Sequence, residues 1–421
     1  MSLVQASGNN VEEYAHRGGG SVFAGVARAA VSRLLSFTGT GADEKRGEDM
    51  HRTERFEEQW TGMTDRDGHR DRAMEERLRA DIEDLAVRIG RSVTLMEICG
   101  AHTCAIGRCG IRDILPDSVR IVSGPGCPVC VTSGRDVDTA LSLAGRKNVI
   151  FTACPDMLRV PGSGGGSLQG LCAAGADVRA VGSAAQAVEI ARANPRREVI
   201  SMGTGFEASA HEAAFMLETC RRQDIRNLSV FTTYKDMKPA IRALMEDSEL
   251  AVDGFLCPGH AKAGGGYAEI PARGRAAVVT GFETLDILEG IRMALAQIAR
   301  RSFAVERQGA GAEGPETGTP GDGLTDEVFM RVPAEWRGLG VIPDSGLVLR
   351  NRYAAFNALA RFDVPILDSS DIMGCMCGSI LRGVASPGEC PLFRHACNPE
   401  NPIGPCMVSR EGACFMEYAV R

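Results

Sequence analysis

Residues 198–233 read EVISMGTGFEASAHEAAFMLETCRRQDIRNLSVFTT, and this stretch decides the fold. Residues 198–202 have strand character, 208–222 have helix length, and 228–233 return to a strand. A strand, a crossover of helical length and a second strand make a parallel βαβ unit. The alternation continues on both sides. Upstream, strands are predicted at 93–98, 119–122, 148–153 and 177–182, with helices at 71–90, 135–144 and 184–193. In the first of these helices Ala73, Leu78, Ile82, Leu85 and Ile89 recur at roughly helical spacing. Downstream follow a helix at 237–246, strands at 253–256 and 276–280, and a helix at 284–300. About eight strands are many for one small sheet. The expected fold class is therefore α/β, with two successive parallel-sheet domains, 71–180 and 181–305.

The flanks differ in character. Residues 1–70 read as an N-terminal extension, with GGG at 18–20 and a charged run from Asp43 to Arg72. Residues 306–325 are rich in Gly, Pro and Thr and read as a linker loop. Residues 326–421 begin with strand-like and helix-like portions and end in a Cys/Pro/Gly-rich tail of little periodicity. Such a tail buries little apolar area and needs a cross-link or a metal to hold it.

Composition narrows the function. Of 421 residues, 47 are Lys or Arg and 54 Asp or Glu, a net charge of −7, which argues against a nucleic-acid binder and against attraction to anionic lipid. No apolar run approaches the ~18 residues of a membrane span. Fifteen cysteines in a chain of this length are too few for a disulfide-stapled secreted domain, yet they cluster. With no secretory signal peptide evident, a reducing, cytoplasmic setting is expected, where clustered cysteines point to metal, iron–sulfur or redox work.

Three constellations carry that chemistry. CGAHTC at 99–104 follows a strand, where open α/β sheets place their sites. Cys99 and His102 offer a sulfur and an imidazole suited to iron, copper or zinc. GPGCPVC at 124–130 follows the next strand, and Cys127 and Cys130 form a C-x-x-C able to close a small disulfide or to supply two metal ligands. In the tail, Cys375-x14-Cys390-x6-Cys397-x16-Cys414 supplies four sulfurs within 40 residues, fitting a [4Fe–4S] cluster or an all-thiolate zinc site. Paired C-x2-C knuckles are absent from this tail, which favours the cluster. Cys377 and Cys406 are two further tail sulfurs, so spacing alone leaves the ligand set open. GFE at 205–207 and CPGH at 257–260 also follow strands.

Together these stretches resemble the hydrogenase maturation factor HypD family over roughly residues 75–421. RVPGS at 159–163, VTGFE at 279–283 and the tail from CPLF at 390–393 through NPENPIGPCMVSREGAC at 398–414 add to the match. The resemblance implies two similar α/β domains and a C-terminal lid with a [4Fe–4S] cluster. It implies a complex with a HypC-type chaperone that holds an iron while cyanide and carbon monoxide ligands are added. The cyanide would come by way of a HypE-type donor, and the Fe(CN)2CO unit would pass to the large subunit of a [NiFe]-hydrogenase. Carried over by position, Cys99 would bind the iron with His102 as its neighbour, and Cys127 and Cys130 would be a dithiol/disulfide pair passing electrons. Glu207 and His260 would line the cleft, and Cys375, Cys390, Cys397 and Cys414 would ligate the cluster. The chain departs from the family pattern at Cys104, where a second His is expected, at Ala208-Ser209 after GFE, at Ala261-Lys262 and near Ser133. Two other function classes fit the bare residues: a thiol–disulfide oxidoreductase using Cys127 and Cys130, and a zinc-stabilised binding module.

Overall fold

The computed structural model describes residues 68–259, 267–308, 322–364, 369 and 372–420. The expected N-terminal extension up to residue 67 and linker residues 309–321 lie outside these. The strands are β1 (Val93–Glu97), β2 (Val119–Ser123), β3 (Val149–Ala153), β4 (Asp177–Ala180), β5 (Glu198–Gly203), β6 (Leu228–Thr232), β7 (Gly254–Pro258), β8 (Ala276–Thr280), β9 (Val305–Arg307), β10 (Phe329–Trp336) and β11 (Gly340–Leu349).

Two sheets are wholly parallel, with orders β2-β1-β7-β8-β9 and β4-β3-β5-β6. Their central strands are short apolar runs such as VIFTA and AAVVT, buried at every position. That is the signature of strands covered on both faces. In the first sheet, Leu95, Val119, Leu256 and Val278 meet Leu78 and Ile82 of the helix Gly68–Ile89 and Ile287, Ile291 and Leu295 of the helix Thr284–Arg300. Its other face, with Phe255, Cys257 and Val279, takes Ile241 and Leu244 of the helix Met237–Glu246. In the second sheet, Ile150, Val199 and Val230 pack under the helices Ala184–Ala193 and Glu207–Arg222.

The α/β class and the two parallel sheets agree with the sequence reading, but the expected division near residue 180 does not follow the sheets. That point falls at the end of β4, inside the second sheet. The first sheet is discontinuous in the chain: β2 and β7 flank β1, and the entire second sheet, 149–232, is inserted between them. Local alternation looks the same whether consecutive strands pair or not, so periodicity reveals the units and not their partners.

The remaining segment is built differently. β10 and β11 form an antiparallel hairpin, and Trp336 at its end is fully buried, its indole donating to Ser345 Oγ at 2.8 Å. Trp336, Ile342, Ile380, Leu381, Cys406 and Met407 share one apolar core with Phe151, Ile200 and Phe231 of the second sheet and with Cys127 and Cys130. The Cys-rich tail is thereby packed on the thiol-bearing loop of the other half of the chain, and His69–Arg421 form one compact unit.

Candidate thiol and metal site

Cys99 stands at the carboxyl end of β1, as the N-cap of the helix Gly100–Arg108. That helix was not anticipated, and it turns the motif into a cap with its first residues folded back. Glu97 is the unforeseen organiser. It is completely buried, and its carboxylate accepts from the Cys99 backbone N–H at 3.1 Å and from Thr103 Oγ1 at 2.5 Å. Burial raises its pKa, against the lowering effect of its hydrogen bonds to Ser123, Thr103 and Cys99. A charged residue inside the run VTLMEI was the available signal.

Burial pushes the Cys99 thiol up to about 12; the N–H groups of His102 and Ala101 oppose the rise, and the charges of Glu97 and Glu411 add to it. Cys104 is likewise pushed up to about 11, by burial and then by Glu411. Its Sγ donates to Arg410 O at 3.1 Å, so this sulfur, standing where the family pattern has His, faces the tail. His102 is buried with its Nε2 bonded to Gly281 O at 2.8 Å and its ring 4.7 Å from that of Phe282. The imidazole therefore meets the second of the two Gly-Phe-Glu turns.

The 124–130 loop lies directly on the Cys99 loop. Gly100 N–H donates to Gly126 O at 3.0 Å, and a Cβ on Gly126 would overlap the backbone of Cys99. Gly126→Ala is expected to lower stability by about 2 kcal/mol, read as a fall in the denaturant midpoint; an unchanged midpoint would show that the loops do not meet. Cys127 and Cys130 form a disulfide, and Cys127 Sγ accepts from Cys130 N–H at 3.2 Å as the cap of the helix Pro128–Val131. Pro128 at the first helical position enforces that turn.

The tail completes the arrangement. Cys375, Cys377, Cys390, Cys397, Cys406 and Cys414 all line one small pocket with Ile380, Leu392, Phe393 and Met407. Cys377 and Cys406 are a close pair, sulfur to sulfur 2.7 Å. Cys397 Sγ accepts from Ile403 N–H at 3.3 Å, and a Cβ on Gly404 would come 2.7 Å from Cys375 Sγ. The helices Cys377–Leu381 and Pro405–Val408 both touch the helix Pro128–Val131, and Cys130 Sγ is 4.0 Å from Pro405 O. Among the described residues no group of three or more His, Cys, Asp or Glu is arranged around a single metal ion. The sulfurs form the walls of a cradle instead. Six soft donors line it, with the Ile403 N–H turned to the Cys397 sulfur and Gly404 where a side chain would intrude on Cys375, and four of six thiols are enough for a [4Fe–4S] cluster.

Glu207 opens the helix after β5, and its Oε1 accepts from Met237 N–H at 2.8 Å. The residue as a whole is exposed, yet its carboxyl is pushed up to about 7 by burial and then by the neighbouring Asp236. Tyr267 is buried, and that burial holds its hydroxyl well above its ordinary range, with any negative charge on Cys257, Glu207 or Cys99 adding to the rise. His260 lies outside the described residues.

The Glu207 shift has a pH consequence. Below about pH 4.5 this carboxyl is protonated in folded and unfolded chains alike. Between about 4.5 and 7 the folded chain keeps the proton and the unfolded chain releases it, so stability falls as pH rises through that window. Glu207→Gln is expected to remove this loss, so that thermal midpoints of variant and wild type diverge with rising pH in favour of the variant. Parallel midpoint curves would contradict the shift.

Fold and site define a class: an α/β protein of two parallel sheets whose thiol loops are covered by a cysteine-rich segment. A family model named HypD, described as "Hydrogenase formation hypA family", matches residues 73–421. The chain is 40% identical over 364 residues to the "Hydrogenase expression/formation protein HupD" of Azotobacter chroococcum, covering 84% of this chain and 95% of that protein. It is 41% identical over 334 residues to the "Hydrogenase maturation factor HypD2" of Bradyrhizobium diazoefficiens, covering 77% and 88%. With the "Hydrogenase maturation factor HypD" of Cupriavidus necator it shares 38% over 361 residues, covering 83% and 95%. The chain belongs to the HypD family of hydrogenase maturation factors.

Proposed function

We propose that this protein is the redox-active scaffold on which the Fe(CN)2CO unit of a [NiFe]-hydrogenase is assembled, in the cytoplasm, together with a HypC-type chaperone and a HypE-type cyanide donor. The observation that carries this reading is the meeting of the Cys99 loop, the Cys127–Cys130 disulfide and the six-cysteine pocket within one compact unit. No helix of the described residues is long and apolar enough to cross a membrane.

In this reading Cys99 holds the iron being assembled, which is cargo. Its thiol keeps its proton at neutral pH, so iron binding releases a proton. Glu97 fixes the Cys99 backbone, and Glu207, able to carry a proton near neutrality, handles protons on the cleft wall. Cys375, Cys390, Cys397 and Cys414 would hold the [4Fe–4S] cluster, leaving the close pair Cys377 and Cys406 as thiols. A bound cluster would supply electrons one at a time to sulfur beside it. The dithiol Cys377/Cys406 exchanges with the disulfide Cys127–Cys130, which lies against the Cys99 loop.

Infrared spectroscopy of the full chain co-purified with its HypC-type chaperone tests this. Absorptions of iron-bound cyanide and carbon monoxide are expected. A complex carrying iron but free of both ligands, purified from cells making active hydrogenase, would overturn the reading.

A further inference from the structure

We propose that Arg337 is a positioning residue that couples the Cys377/Cys406 pair to the Cys127–Cys130 disulfide. The inference deepens the proposed function and rests on the exchange between these two pairs.

Arg337 occupies the turn between β10 and β11, yet it is only 5% exposed. Arginine is almost never buried so far without a task for its charge and donors. Its backbone N–H donates to Val131 O at 3.0 Å, and its Nε donates to Thr132 O at 3.0 Å. Trp336 pairs with Thr132 in an antiparallel bridge. The turn is therefore fastened to the last residues of the helix that carries the disulfide. Gly338, at φ +79°, closes the contact: a Cβ there would overlap the backbone of Gly378, the residue after Cys377. The turn thus meets the elements that hold both sulfur pairs, with Arg337 anchored on one and Gly338 packed on the other, and leaves no slack between them.

The exchange balances without an outside reagent. The Cys127–Cys130 bond breaks, a Cys377–Cys406 bond forms, and two electrons and two protons pass from the second pair to the first. Arg337 forms no bond in this step. It sets where Cys377 stands relative to the acceptor, and sulfur exchange demands close approach of attacking and attacked atoms.

The test uses full-length protein, reduced anaerobically and given one equivalent of diamide. Rapid alkylation and peptide mass mapping then follow how the single disulfide redistributes between the two pairs. Arg337→Gln is expected to slow redistribution by about tenfold or more, with visible absorption and iron content unchanged. Arg337→Lys keeps the charge but not the planar fork, and is expected to recover part of the rate. It also serves if the Gln variant fails to fold. A purely structural role would lower the thermal midpoint of both variants and leave the rate at the wild-type value, which overturns the proposal. A wild-type protein in which the disulfide never redistributes would overturn the exchange itself, and the role of Arg337 with it.

Discussion

Cys99→Ala is expected to abolish hydrogenase maturation while leaving the rest of the protein intact. Cys99 holds its place through the Glu97 carboxylate at its own N–H and the Gly100–Gly126 backbone bond. Neither depends on its sulfur, so the side chain can be removed without loosening the loop. What disappears is the thiol that the proposed function assigns to the iron. Loss of supporting groups around a metal already costs about 10–100-fold, and loss of the ligand itself is expected to exceed that. The measurement is hydrogenase activity in cells whose only copy of this gene carries the substitution. Activity at background, with iron bound by the purified variant equal to wild type apart from the cargo, is the expected result. Cys109→Ala, at an exposed cysteine of the same segment, is the control and should retain activity. Substantial activity in Cys99→Ala would move the iron elsewhere, with Cys104 the neighbouring sulfur to examine.

The second large effect concerns the tail. Cys397→Ser and Cys414→Ser are each expected to empty the pocket and to release the segment from about residue 372 onward. That segment has short helices and a pocket walled by sulfur, and under the proposed function the cluster held there would supply much of its order. Structural metal sites contribute on the order of 10 kcal/mol to the folding of such segments. Limited proteolysis should cut the variants within the tail, where the wild type resists. The first thermal transition should fall by roughly 10 °C or more. The first parallel sheet should survive, because its cores hold no tail residue, whereas the second sheet, whose Phe151, Ile200 and Phe231 share a core with the tail, should lose part of its packing. A variant that keeps both protease resistance and its midpoint would show that the tail folds without a bound group.

The elements of the fold were legible because each is announced locally. Largely apolar pentamers such as 149–153 and 276–280 read as buried strands, and the helices 184–193, 237–246 and 284–300 stand where the alternation puts them. Strand partnership was not legible. β1 pairs with β7, more than 150 residues away, and no local pattern encodes that distance. In the site, sulfur could be found by type and spacing, so Cys99, Cys127, Cys130 and the tail set were visible. The groups that orient them were not. Glu97 acts through burial and bonds to its own loop, while Asp236, Tyr267 and Arg337 act on or through groups distant in the chain. Only Glu97, a charge within an apolar strand, left a trace in the sequence. For His102 the sequence offered its position beside Cys99 but not the Gly281 carbonyl and Phe282 ring that its imidazole meets on a loop distant in the chain.

The central claim is that sulfurs from distant parts of the chain are gathered to hold iron. Metal and acid-labile sulfide analysis of the anaerobically purified full-length protein tests it most directly. About four irons and four sulfides per chain, with the brown colour of a cluster, are predicted. A colourless protein with about one zinc and no labile sulfide would contradict the account.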